Sequence, residues 1–262
     1  MDIIHAVILA IVEGLTEFLP VSSTGHMIIA SHVMHVPQTE FLKTFEIAIQ
    51  AGAIGAVFSL YWRTFLLDWE IGLKVLAAFV PTAVIGFILY KAIKHFLLGN
   101  IMVVGAALLL GGIFLVVFEL LYKGRQGKIQ CMEQITYPQA IIIGLCQALA
   151  VVPGVSRSAA TIVAGLMLGV SRRTIVEFSF LLAVPTMLAA TVLDLLKSGV
   201  DISPAQAGDL GLGFAVAFGV AFATVKFLLR YIKQNDFIPF GIYRIAVGAV
   251  LLFLIGRSWI AP

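Results

Sequence analysis

The chain has 262 residues, of which 61% are hydrophobic and only 12% charged, and its mean hydropathy is +1.06. A soluble domain carries about 25% charged residues, and no hydrophilic stretch here is long enough to fold alone, so the composition specifies a polytopic membrane protein. The net charge of +3 is spread over short loops, which leaves no basic footprint for nucleic acid.

The chain begins Met1-Asp2-Ile3-Ile4 with no basic region ahead of the apolar run, so no cleaved signal peptide is expected. Residues 2–19 and 22–35 are two apolar pieces joined at Pro20. At 1.5 Å per residue they reach about 27 and 21 Å, short of the roughly 30 Å hydrocarbon layer. They are expected to form a re-entrant helical hairpin whose polar tip is buried in protein or faces a wet cavity. Glu13 and Glu17 lie four apart on one helix face, Pro20 ends that helix, and Ser22, Ser23 and Thr24 offer caps for the next. Three full-length spans follow near 44–61, 71–90 and 100–122, separated by loops that carry Arg63, Asp68 and Glu70, then Lys91, Lys94 and His95. A basic loop with Lys123, Arg125 and Lys128 ends this half.

The second half repeats the plan. Residues 137–152 and 156–170 are short apolar pieces that meet at Pro153-Gly154-Val155-Ser156-Arg157-Ser158, and three spans follow near 175–196, 209–230 and 238–257. Pro20-Val21-Ser22-Ser23 falls on Pro153-Gly154-Val155-Ser156 and Phe45 on Phe178; a one-residue gap sets Glu13 over Gln147. The fold class expected is therefore an all-α integral membrane protein forming one membrane domain, 1–262, built as an inverted repeat. Repeat one covers about 1–130 and repeat two about 131–262, each a re-entrant hairpin plus three transmembrane helices. Three crossings per half invert the second half, so the two tips would meet near the midplane. Cys131 and Cys146, in a polar loop and an apolar run, give no disulfide framework.

Charge orients this scheme. One side collects Arg63, Lys74, Lys123, Arg125, Lys128, Arg172, Arg173, Lys226, Arg230 and Lys233; the other collects Lys43, Lys91, Lys94, Lys197 and Arg257. The richer side is expected to be cytoplasmic, with both termini outside and the first hairpin entering from the outer face.

If the tips meet, Glu13, Glu17, Ser22, Ser23, Thr24 and His26 converge with Ser156, Arg157, Ser158 and Thr161. Two helix N-termini, an arginine fork and several hydroxyls make a site for a multiply charged anion, phosphate above all. Glu13 and Glu17 would repel that anion unless a divalent cation, Mg²⁺ or Ca²⁺, bridges them to phosphate oxygens. Bland roles compete with these. A glutamate in a membrane helix can be a structural partner, a hydroxyl can merely cap a helix, and a lone histidine is commonly a satisfied buried one. Glu46 and Gln50 share a face that lines the cavity or braces a hairpin. Glu177, Asp194, Lys226 and Arg244 are expected to form structural pairs between spans, and Glu119 and Lys197 to reach water at span ends.

At these residues the sequence resembles a known family. E-G-L-T-E-F-L-P-V-S-S-T-G-H at 13–26, P-G-V-S-R-S-A-A-T at 153–161 and E-F-S-F-L-L-A-V-P at 177–185 look like segments of bacterial undecaprenyl-pyrophosphate phosphatase, the bacitracin-resistance type. Lys43-Thr-Phe-Glu46 and Ile238-Pro-Phe with Tyr243-Arg244 are similar too, and Ala159 stands where many members have glycine. The resemblance covers essentially the whole chain. It implies a multi-pass enzyme of the bacterial inner membrane, its site open to the periplasmic face, that removes the terminal phosphate of a prenyl pyrophosphate lipid among membrane lipids. It implies a divalent-metal requirement, allows a homodimer, and implies that bacitracin antagonises the enzyme by sequestering its substrate.

Carried over by motif, the catalytic group is Glu17, Ser23, His26 and Arg157. Substrate contacts fall on Ser22, Thr24, Gly25, Ser156, Ser158 and Thr161, and metal contacts on Glu13 and Glu17. Two chemistries stay open: attack by Ser23 with Glu17 or His26 as base, or attack by metal-bound water with Ser23 as a ligand. On architecture alone the competing class is an inverted-repeat transporter or flippase for an anion or lipid phosphate. Gln147 opposite Glu13 argues for one-sided catalysis instead.

Overall fold

Glycine, alanine and serine at helix crossings, rather than large side chains, set how closely the helices of this protein approach. The computed structural model describes residues 1–96, 100–125, 127–198 and 203–257, apart from the side chains of 90–96, 193–198 and 204–205. Among the described residues the regular structure is helical, with one isolated bridge between Ile129 and Val170. Ten α-helices follow in order: α1 (Ile3–Thr16), α2 (Ser23–Val33), α3 (Glu40–Leu67), α4 (Trp69–Phe96), α5 (Ile101–Tyr122), α6 (Tyr137–Gln147), α7 (Arg157–Met167), α8 (Arg172–Ser198), α9 (Pro204–Tyr231) and α10 (Ile238–Gly256). Six of them, α3, α4, α5, α8, α9 and α10, are long and apolar enough to cross a membrane. Their outward side chains are large and apolar, Phe87, Ile88, Leu67 and Leu121 among the most exposed, as expected where lipid is the solvent.

The helix boundaries follow from local chemistry. Pro20 cannot donate to the carbonyl four residues back and its ring crowds that carbonyl, so regular helix closes at Thr16 rather than continuing to residue 19 as expected. Before Pro153, α6 ends at Gln147 and tightens into a 3₁₀ turn, Ala148–Val151. The long helices outrun their expected limits because capping residues lie further out. Thr39 accepts from Leu42 N and starts α3 at Glu40, and Ser203 forms a capping box with Gln206 at the start of α9. Lys91, Lys94 and His95, expected in a loop, fall within α4; their side chains lie outside the described residues.

Each half presents the same order: a short helix, a break, a second short helix and three long ones. The cross-packing also corresponds, since α1 lies on α9 while α6 lies on α4. At the first contact a methyl group built on Gly14 would press on Val220 and the Ala217 carbonyl; at the second, one built on Gly144 would collide with the Ala78 carbonyl. Small residues let helix backbones touch where no hydrophobic force drives them together.

Several polar groups have partners other than those expected. Glu119 is 2% exposed rather than at the water; it forms a two-pronged pair with Arg172 and accepts from Phe237 N, so α5, α8 and α10 share one buried carboxylate. Glu177 pairs with Arg173 one turn away on its own helix, not with another span. Lys226 sits 4.1 Å over the Phe222 ring, and Arg244 binds backbone carbonyls rather than a carboxylate. Backbone acceptors and ring faces satisfy a cation without a second buried charge. The side chains of Asp194 and Lys197 lie outside the described residues.

The crossing at Gly144 yields a direct test. Gly144→Val forces α6 off α4 and is expected to cost about 1–3 kcal/mol of stability through overpacking. Gly72→Ala, on α4 with nothing within 4 Å, should leave the protein unchanged or slightly stabilised; thermal unfolding in detergent compares the two.

Candidate active site

The first break runs from Glu17 to Ser22. Ser22 has φ +74°, a region costly for a residue with a Cβ and concentrated at functional sites. Its hydroxyl accepts from Gly25 N and caps α2. The second break runs from Val152 to Ser156, where Gly154 supplies φ +92° and a side chain would strike Val104 O. Ser156 caps α7 by accepting from Ala159 N. Each break therefore opens into a helix N-terminus with unbonded N–H groups and a positive dipole end.

The breaks touch each other. Ser158 Oγ donates to Leu19 O at 2.8 Å. With that proton committed, Ser156 must be the donor in the 3.0 Å contact between the two serine hydroxyls. Arg157 reaches back with Nη2 to Glu17 Oε1 at 3.3 Å, while Nη1 donates to Ser179 O at 3.1 Å. Its guanidinium lies 5.9 Å over the Phe18 ring, and its Nε has no protein partner among the described residues. Glu17 thus holds two donors at once: Arg157 on one oxygen and the Ser23 hydroxyl on the other.

A cavity of about 180 Å³ lies over this arrangement, walled by Glu17, Ser22, Ser23, Thr24, Ser156 and Arg157 on one side. Gln50, Gln147, Thr82 and Thr186 line the other. Thr82 and Thr186, each just after a proline inside a long helix, give their protons to Gly144 O and Leu182 O. Their oxygens can then only accept from the Gln147 amide nitrogen, at 3.0 and 3.1 Å, which fixes that amide's orientation. Neither threonine, nor Ser179, was singled out by the sequence. The signal available was a Pro-Thr pair inside each of two spans.

The remaining sequence candidates lie behind the wall. Thr161 is fully buried and bonds Arg157 O, Ser158 O and the Ser179 hydroxyl, so it steadies the start of α7. Gly25 packs against the Val104 and Leu108 side chains, where an added methyl group would be a tight fit. His26 has Nδ1 2.7 Å from Ser22 O and Nε2 2.8 Å from the Tyr243 hydroxyl, against whose ring it stacks. A carbonyl only accepts, so Nδ1 carries the proton and the neutral ring accepts from Tyr243. Glu13 is buried beside Glu17, their carboxyls adjoining. Among the described residues no cluster of three or more histidine, cysteine or acidic side chains is close enough to hold a metal. The two glutamates fit the pattern in which Mg²⁺ takes one or two carboxylates and completes its shell with substrate phosphates and water.

A second, apolar groove of about 470 Å³ runs between α5 and α7, lined by Leu110, Phe114, Leu149, Val152 and Val163. It shares Val155 and Ser156 with the polar cavity.

Comparison with known proteins finds relatives that match nearly the whole chain. The model of the family described as bacitracin resistance protein BacA matches residues 6–250. The chain is 50% identical over 253 residues to the undecaprenyl-diphosphatase of Wolinella succinogenes, covering 97% of this chain and 98% of that one. It is 48% identical over 254 residues to that of a Sulfurihydrogenibium species, covering 97% and 99%. It is 46% identical over 246 residues to that of Aquifex aeolicus, covering 94% and 96%.

The strained cap at Ser22 separates two effects that normally travel together. Ser22→Ala keeps the Cβ at positive φ and loses the cap; Ser22→Gly loses only the side-chain hydrogen bond to Gly25 N and relaxes the backbone. Glycine caps nearly as well as serine whereas alanine does not, so the Ala variant is expected to be less stable than the Gly variant by about 1 kcal/mol or more. Unfolding of both in detergent checks the order.

Proposed function

The chain belongs to the bacitracin-resistance protein family, and from that premise we infer that it is an undecaprenyl-diphosphatase. It hydrolyses the terminal phosphate of undecaprenyl pyrophosphate to give undecaprenyl phosphate and inorganic phosphate, returning the lipid carrier to cell-wall synthesis. One observation carries the chemistry: Glu17 binds the Ser23 hydroxyl with one oxygen and Arg157 with the other, at the mouth of two helix N-termini.

The pyrophosphate enters as a multiply charged anion and is held by Arg157 and the N–H groups that open α2 and α7. As its oxygens take over the guanidinium, Glu17 keeps the hydrogen bond from the Ser23 hydroxyl and is placed to take its proton. Ser23 Oγ attacks the outer phosphorus, Glu17 takes the proton, and the bridging P–O bond breaks. The departing undecaprenyl phosphate carries its charge against Arg157. Water then attacks the phosphoserine; Glu17 returns its proton to Ser23 Oγ as that P–O bond breaks, takes one proton from the water in exchange and gives it up with inorganic phosphate, so the hydroxyl and the carboxylate are both restored. Glu13 and Glu17 would hold the divalent cation, Mg²⁺ or Ca²⁺, whose chemistry when bound is to neutralise pyrophosphate charge beside the carboxylates. His26, with both ring nitrogens engaged, supports the site by bracing Ser22 rather than by taking the proton. Ser22, Thr24 and Ser156 contact the pyrophosphate from the wall, while Gly25, Ser158 and Thr161 hold the helix starts behind it. The groove between α5 and α7 takes the prenyl chain where it leaves the polar cavity.

The architecture proposed with this function is an inverted repeat whose two breaks are re-entrant tips. Helices α1, α2, α6 and α7 have 14, 11, 11 and 11 residues, about 17–21 Å, too short to span. The matching element order and the paired contacts α1 on α9 and α6 on α4 support the repeat. The ten-to-five bias of lysine and arginine supports an inner-membrane protein with the first hairpin entering from the periplasm and the site open there. Bacitracin then antagonises the enzyme by sequestering its substrate, and the apolar flanks leave room for a homodimer.

Phosphate release from undecaprenyl pyrophosphate by the purified protein in detergent tests this. Release is expected with Mg²⁺ and not with EDTA. Glu17→Gln and Arg157→Ala should each lower kcat about 10²–10³-fold while the protein stays folded, the scale for losing one charge-stabilising group. No release from the folded protein with any divalent cation would overturn the assignment, and normal turnover by Ser23→Ala would remove the serine as nucleophile.

A further inference from the structure

Helix α10 meets the site through two consecutive residues. Tyr243 donates to His26, whose other nitrogen binds Ser22 O in the first break. Arg244 is the largest fully buried side chain and 2% exposed. Its Nη1 donates to Pro20 O at 3.4 Å, and its Nη2 to Gly154 O at 3.1 Å and Ala107 O at 3.2 Å. The first acceptor lies in one break, the second in the other, and the third on α5. Among the described residues no carboxylate pairs with this guanidinium.

An arginine buried without a counter-ion is expensive, and fastening α10 to α5 does not require one. Gly112 lies against Gly241 and Gly248 against Leu109, and these close approaches already join the two helices. What the guanidinium alone does is take a carbonyl from each break. A planar fork with donors at fixed angles can hold two backbone oxygens at one separation; an ammonium is a single point on a flexible stem.

We propose that Arg244 is a positioning residue for hydrolysis: its fork sets the spacing of the two breaks, so that Ser23 on α2 and Arg157 on α7 converge on one phosphate. Its Nη donors are committed to backbone carbonyls and take no part at the phosphate; the side chain meets the substrate only as part of the wall of the apolar groove. The positive charge behind both helix N-termini adds to the field at the anion site, but the fork carries the geometry. This rests on the function proposed above for the same site.

The test pairs Arg244→Lys and Arg244→Met with Gly111→Ala, in which the arginine is kept but the new methyl group would collide with its guanidinium and displace it. Each is compared with wild type by steady-state phosphate release and by backbone hydrogen exchange in detergent. All three variants should lower kcat about 100-fold, the scale for a misplacement of about 1 Å, with KM changed much less. Exchange should rise together in peptides covering 17–25 and 152–159 and stay unchanged in α3 and α9. Wild-type kcat in Arg244→Lys would overturn the fork in favour of charge alone. Exchange that rises throughout the molecule, or in one break only, would overturn the coupling of the two breaks. If the Arg244 variants fail to fold, Gly111→Ala decides by the same two readouts. Absence of release by wild type would remove the functional premise, and the exchange pattern would still judge the clamp.

Discussion

The ion pair between Glu17 and Arg157 joins residues 140 positions apart, with side chains 6% and 11% exposed. Neither charge would be tolerable alone at that depth, because desolvating an ion costs several kcal/mol even after relaxation. Each break therefore supplies the counter-ion that the other needs. The pair adds little net stability by itself, but separating it leaves two uncompensated charges, so it favours the arrangement in which the two breaks meet. The same contact places the Glu17 carboxylate on the Ser23 hydroxyl and the Arg157 fork at the edge of the polar cavity.

Around that pair the protein spends its small residues. Gly14 on Ala217 and Gly144 on Ala78 seat the first helix of each break against a long helix of the other half. In water, burying large side chains would do this; in lipid, close backbone contact must do it. Glu119 with Arg172 and Phe237 N is a second pin, tying α5, α8 and α10 through one buried carboxylate. The breaks can then carry strain at Ser22, because their ends are held by helices that cannot easily move.

Much of this was legible in the sequence because it is local. Pro20 and Pro153 marked the breaks, Ser22 and Ser156 the caps, and runs of apolar residues the six spans. The hydroxyl and carboxylate groups that matter were also visible as exceptions in apolar sequence. What periodicity cannot tell is which way a polar side chain turns when a backbone carbonyl lies nearby. Thr161 and Ser158 face such carbonyls instead of the cavity, and His26 does the same through Ser22 O. Nor can it pair groups from distant segments: Arg244 finds Pro20 O 224 residues away, and Glu119 finds Arg172 rather than water. Thr82 and Thr186 went unnoticed because a threonine after a helix proline looks like packing until Gln147 is seen between them.

The same cross-links bear on the choice between catalysis and transport. Alternating access requires one half of an inverted-repeat protein to rock against the other around a central site. Here the halves are stitched at that centre by Ser158 on Leu19 O, by Arg157 on Glu17, and by Arg244 on both breaks. The bonds of Ser158 to Leu19 O, Arg157 to Glu17 and Arg244 to Pro20 O each join a group of one half to a group of the other, and rocking would leave them unpaired away from water, at roughly 1–3 kcal/mol or more apiece. The chemistry is also divided rather than duplicated. The first half brings Glu17 and the Ser23 hydroxyl to the cavity, the second brings Arg157, and Gln147 rather than a second acid lines it from the second half. A carrier gains from two equivalent half-sites that trade exposure; phosphoryl transfer gains from two unlike half-sites that never separate.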